Sequence, residues 1–62
     1  MTERKRDLLV LEWLYLDSLI VGLTAQMSEA RAQGDEAEAL RKERAVVEAQ
    51  LEKIFIRSML VA

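Results

Sequence analysis

A chain of 62 residues holds one domain at most. It carries 9 Lys+Arg against 11 Asp+Glu and no His, Cys or Pro. That excludes zinc fingers, thiol and imidazole catalysis, and disulfide frameworks. A net charge of −2 and a pI near 5.0 argue against general affinity for nucleic acid. Hydrophobic residues make up 52% of the chain, more than so short a domain buries by itself. Composition therefore points to binding rather than to chemistry.

From the N-terminus, the periodicity predicts one helix over about residues 3–32. Leu9, Trp13, Leu16, Ile20, Leu23, Met27 and Ala30 step by four and three, an a/d seam of coiled-coil type. Gly22 falls inside this helix and reads as a tolerated helix glycine. The helix stops in the stretch Ala32-Gln33-Gly34-Asp35-Glu36. Glycine suits the left-handed residue just past a helix C-terminus, and Arg31 suits the negative end of the dipole. Asp35 is an N-cap, with Glu38 three residues on as the second half of a capping box. A turn at about 33–35 then leads into a second helix over about 36–60. Its seam reads as Ala37, Leu40, Arg44, Val47, Leu51, Ile54, Ser58 and Val61, with Arg44 and Ser58 as polar interruptions. Glu38 and Lys42 are oriented to pair across one turn. Nothing alternates with period two, so no strand is expected. The fold class is all-α: residues 1–62 form one antiparallel two-helix hairpin.

The apolar residues are unevenly placed. Residues 8–23 hold 12 large apolar side chains in 16 positions, residues 24–45 hold two, Met27 and Leu40, and residues 46–62 hold nine. Folding back at Gly34 sets residue i roughly opposite residue 68 − i, so both apolar segments meet at the end of the hairpin away from the turn. The first helix also carries Leu8, Leu11, Tyr15 and Leu19 on one flank, and Val10, Leu14 and Val21 on the other. A helix apolar on several sides is a buried helix. Fully burying one Leu-sized side chain contributes roughly 1.5–3 kcal/mol. Six or more left exposed forgo on the order of 10 kcal/mol, the scale of a whole domain's stability. The expectation is self-association, as a homodimer forming a four-helix bundle or as a larger helical oligomer. Leu9, Trp13, Leu16, Ile20, Leu23, Leu51, Ile54, Phe55 and Met59 are the expected interface, and a helical protein partner is the alternative occupant.

Polar residues give no catalytic site. Glu12 and Asp17 lie within the apolar run but point about 140° apart on a helix, poor geometry for joint acid–base work. Arg57 falls nearly opposite Glu12, with Lys53 one turn away, so an inter-helix Glu12–Arg57 salt bridge is expected. Glu36, Glu38, Glu43, Glu48 and Glu52 lie on separate faces, and a bundle metal site would call for histidines. Ser18, Ser28 and Ser58 have no base to activate them. No catalytic residue, metal or cofactor is expected.

Arg4, Lys5 and Arg6 are the candidate phosphate contacts, and carry the alternative of a nucleic-acid-binding bundle. The apolar run of 16 residues is short of a membrane span and contains two acids. No signal-peptide cleavage site follows it. A membrane-surface role is a further alternative to the expected cytoplasmic one.

Two helices joined at Gly34-Asp35 are similar in layout to the small co-chaperones of type III secretion needle proteins. Length and layout are also similar to those of Rop-type RNA-binding bundles. These likenesses rest on the plan of the chain, and no residue role is carried over. The reading is of a non-enzymatic interaction module of bacterial type: an adaptor, regulator or co-chaperone.

Overall fold

The computed structural model describes residues 2–62. It is a hairpin of two α-helices, α1 (Glu3–Ala32) and α2 (Glu36–Val61). Helix α1 begins at Thr2, whose backbone is extended and whose Oγ1 accepts a hydrogen bond from the Lys5 N–H at 3.2 Å. That satisfies one of the donors a helix start leaves unpaired. Arg31 sits in the last turn of α1, at the negative end of its dipole.

The reversal takes three residues. Gln33 ends α1, and Gly34 follows with φ +76°. The Asp35 N–H donates to the Ala30 carbonyl at 2.8 Å, and the Gly34 N–H to the Arg31 carbonyl at 3.0 Å. These two bonds are a Schellman motif, whose left-handed residue favours glycine because a Cβ there is strained. Asp35 then caps α2 directly, its Oδ1 accepting from the Glu38 N–H at 3.1 Å. The other half of the expected capping box is replaced. The Glu38 carboxylate turns to Arg41 and to Lys42, the latter at 3.5 Å. The hydrogen bond and charge of Arg41 hold the Glu38 carboxyl below its ordinary range.

The α1 side of the hairpin contact is the heptad seam read from the sequence. Leu16 and Ala30 are buried, and Leu9, Trp13, Ile20, Leu23 and Met27 are half-buried. The α2 side differs from expectation. Ala39, Ala49 and Ile56 are buried, with Lys42, Val46, Lys53 and Leu60 half-buried along the same stripe. The stripe expected to face α1 instead faces solvent: Leu40, Val47, Leu51, Ile54 and Val61 are all exposed. Helix α2 thus carries two heptad stripes, alternately one and two residues apart, whose centres are displaced by about 140° around the helix. The stripe with the smaller residues faces inward. Alanines let two helices approach closely, and Lys42 and Lys53 lay their stems along the seam with their ammonium groups at its edge.

The resulting core is thin. Its central cluster is Leu16, Ala49 and Ile56, with Leu9, Trp13, Ile20, Met59 and Leu60 packed around it. No large side chain among the described residues is fully buried. The molecule is a rod of 47 × 15 × 11 Å with a radius of gyration of 14.4 Å, against about 10–11 Å for a compact domain of this length. Its accessible surface of 4886 Å² exceeds the roughly 4,100 Å² expected of a folded monomer of this mass.

The two glycines have opposite consequences. A Cβ at Gly22 would meet nothing within 4 Å, and its φ is an ordinary helical one; Gly34 has the left-handed φ. Gly22→Ala is expected to stabilise the fold by up to about 1 kcal/mol through helix propensity. Gly34→Ala is expected to destabilise it by about 1 kcal/mol. Denaturant melts of both variants at one protein concentration check the pair.

Candidate functional site

The feature that sets this molecule apart is its surface. Thirteen large hydrophobic side chains among the described residues are exposed: seven on α1 and six on α2. On α1 these are Leu8, Val10, Leu11, Leu14, Tyr15, Leu19 and Val21, which surround the N-terminal half of the helix on every side not facing α2. On α2, Leu40, Val47, Leu51, Ile54 and Val61 form the outer heptad stripe, and Phe55 lies beside it. Exposure reaches 65% at Phe55 and 78% at Val61, so these side chains are not the rim of a core. Monomeric proteins seldom expose contiguous apolar surface on this scale, and such patches mark interaction sites.

Two shallow grooves run along the hairpin, one on each side of the seam. The first is lined by Trp13, Gln50, Lys53, Ile54 and Arg57, and continues past Val10, Leu60 and Val61 towards the chain ends. Lys53 is its organising residue. Its Nζ donates to Asp17 Oδ1 at 2.8 Å and lies 4.3 Å from the centre of the Trp13 ring. The ammonium is thereby held by a carboxylate and an aromatic face at once. The second groove is lined by Leu16, Leu19, Leu23, Ala45, Glu48, Ala49 and Glu52, and its rim is acidic.

The expected interface residues divide in two. Leu9, Trp13, Leu16, Ile20, Leu23 and Met59 are taken up by the hairpin itself, buried or half-buried between α1 and α2. Leu51, Ile54 and Phe55 are exposed. Among the described residues Glu12 and Arg57 form no ion pair, and the one in this part of the hairpin is Lys53–Asp17. The reason is angular. Leu19, seven residues after Glu12 and so on the same edge of α1, lines the acidic groove, whereas Arg57 lines the other. Lys53, read from the sequence as one turn away from the Glu12–Arg57 pair, lies on the inner stripe of α2 and pairs with Asp17. The signal that could have found it is the set Ala39, Lys42, Val46, Ala49, Lys53, Ile56 and Leu60, which also steps by three and four.

Arg4, Lys5 and Arg6 are exposed in the first turns of α1, between Glu3 and Asp7. Arg31 and Glu43 make a long, exposed contact of 3.7 Å across the hairpin near the turn. No group of carboxylates among the described residues is arranged to hold a metal ion. Contrary to the expectation from the 16-residue run, helix α1 is long and apolar enough to cross a membrane by length and composition, because the helix extends beyond that run on both sides, and little of the apolar stretch is buried. No family model, curated protein or solved structure matches the chain.

The Lys53 arrangement is testable within the hairpin. Lys53 keeps 22% of its side chain exposed and Asp17 54%, so solvent screens much of their attraction. Lys53→Met, which retains the packed stem, is expected to cost about 1 kcal/mol from the lost ion pair and cation–π contact together. The Trp13 fluorescence should change with it, since the ring loses the cation on its face. Equilibrium unfolding followed by that fluorescence measures both effects.

Proposed function

We propose that the chain is a non-enzymatic protein–protein interaction module, a small adaptor, regulator or co-chaperone, that self-associates through the apolar surface its hairpin leaves uncovered. The observation that carries this reading is the imbalance between surface and core. Among the described residues thirteen large hydrophobic side chains are exposed, while three of the five buried residues are alanines. Burying a Leu-sized side chain contributes roughly 1.5–3 kcal/mol. Covering even half of the exposed set is worth on the order of 10 kcal/mol, as much as a small domain's entire stability. Folding and association are then one process, and the stable species is an oligomer.

Light scattering after size exclusion, across a dilution series, tests this first. A discrete multiple of the 7.1 kDa chain is the expected result, with a melting temperature that rises with protein concentration. Ile54→Asp supplies the residue-level check. Ile54 is 62% exposed in the hairpin, so in an isolated hairpin this change should have little effect. In the proposed assembly it lowers both the mass and the melting temperature. A chain that stays monomeric at all concentrations, with Ile54→Asp as stable as the parent, would sink the reading.

One observation favours a second reading, attachment to a membrane surface: the outer side of α1 is apolar over a length sufficient for a bilayer. Flotation with liposomes separates the two. Binding that persists in neutral lipid and is abolished by Leu11→Asp supports the membrane reading.

A further inference from the structure

The outer face of α2 has more than exposure to recommend it: its apolar and charged residues are arranged so that the helix matches a reversed copy of itself. Leu40, Arg44, Val47, Leu51, Ile54, Ser58 and Val61 step by four and three over six intervals, the spacing with which one helix packs along another. None of the five apolar members is used by the hairpin: each is exposed. Along the edge of this stripe nearer the Trp13–Lys53 groove lie Glu43, Gln50 and Arg57, all exposed and spaced by seven. Glu43 and Arg57 are therefore equidistant from Gln50 and opposite in charge.

We infer that the primary self-contact of this protein is antiparallel pairing of α2 with α2 of a second copy, about a two-fold axis between Val47 and Leu51. This rests on the self-association proposed above and adds which face makes it and in which direction. Such an axis sets Val47 of each copy against Leu51 of the other, and Arg44 against Ile54. It also brings Glu43 of each copy to the same side of the seam as Arg57 of the other, offset along the axis by about two residues, roughly 3 Å, with the two Gln50 side chains between these symmetrical pairs. The antiparallel direction is chosen by Arg44. In a parallel pair the two Arg44 side chains would meet in the seam, where like charges oppose association, and the edges carrying Glu43 and Arg57 in the two copies would fall on opposite sides of the seam, out of each other's reach. In the antiparallel pair the Arg44 positions are about ten residues apart along the axis, roughly 15 Å, and each guanidinium reaches solvent from the edge of the seam. The occupant is a second copy because the complementarity is internal: one edge of a single helix supplies both the acid and the base, in mirror order about its middle. Residues used twice in this way define an isologous contact, which closes on itself.

The chain has no cysteine, so single cysteines report the contact cleanly. Gln50→Cys and Ser18→Cys, the second on the outer face of α1, are each treated with a short bismaleimide at concentrations where the mass is that of the oligomer. Efficient dimer formation from Gln50→Cys and little from Ser18→Cys is expected. The converse result, with the oligomeric mass retained, overturns the α2 pairing and leaves self-association standing. A monomeric mass overturns both. Charge exchange tests the direction. Glu43→Arg and Arg57→Glu are each expected to weaken the dimer about tenfold, and the double exchange to recover it to within about threefold. Additive weakening in the double variant, at unchanged helicity, would exclude the Glu43–Arg57 contact and with it the antiparallel register.

Discussion

The reversal at Gly34-Asp35 is the constraint on which everything else in this molecule depends. A Schellman motif ends α1, and the next residue caps α2, so no spare residue separates the helices. A connection so short allows only antiparallel neighbours. It also brings residues 8–23 alongside residues 46–61, and so concentrates the apolar side chains at the end of the rod farthest from the turn. The charged pairs Glu38–Arg41, Glu38–Lys42 and Arg31–Glu43 all gather near the turn. The half of the rod beside the turn is polar, and the other half is apolar up to the charged first turns of α1, because one glycine adopts φ +76° in the middle of the chain.

Given that reversal, the two helices must choose which faces to press together, and they do so asymmetrically. Helix α1 offers its large residues, with Leu16 buried and Trp13 and Ile20 half-buried; α2 answers with Ala39, Ala49 and Ile56. Large side chains pack best against small ones on a facing helix, because the backbones then close and the gap fills without voids. Near the chain ends Ile56, Met59 and Leu60 are taken into the core, and Leu40, Leu51, Ile54 and Phe55 remain outside. The fold spends its small residues on its own cohesion and keeps Leu51, Ile54 and Phe55 for contacts beyond the hairpin. Self-association is the proposal that accounts for this disposition, and pairing of α2 with a reversed copy is its most specific form.

Lys53 shows how a charged residue serves a thin core. Its stem lies along the seam, and its ammonium is met by Asp17 on one side and the Trp13 ring on the other. Both contacts join α1 to α2, so they favour the inward placement of the Ala49–Lys53–Ile56 stripe over the competing one. In a core where none of the described large side chains is completely buried, such directional contacts weigh more than they would in a larger domain.

The sequence by itself determined the class of fold, the place of the turn, and the α1 seam. Each of these depends on local signals: heptad spacing, a glycine followed by a capping aspartate, and an apolar run with no competing register. It also determined that the apolar content exceeds what two helices can cover, since that is a matter of counting. The face of α2 that turns inward was decided only in the tertiary structure. Both stripes of α2 satisfy the same three-four spacing, and the stripe with the larger residues carries the stronger hydrophobic signal. The choice depends on fit against Trp13, Leu16 and Ile20 across the hairpin, and on Asp17 being within reach of Lys53 but on the far side from Glu12. Periodicity reports how apolar each face of a helix is; which face its neighbour has room for depends on the neighbour's side chains.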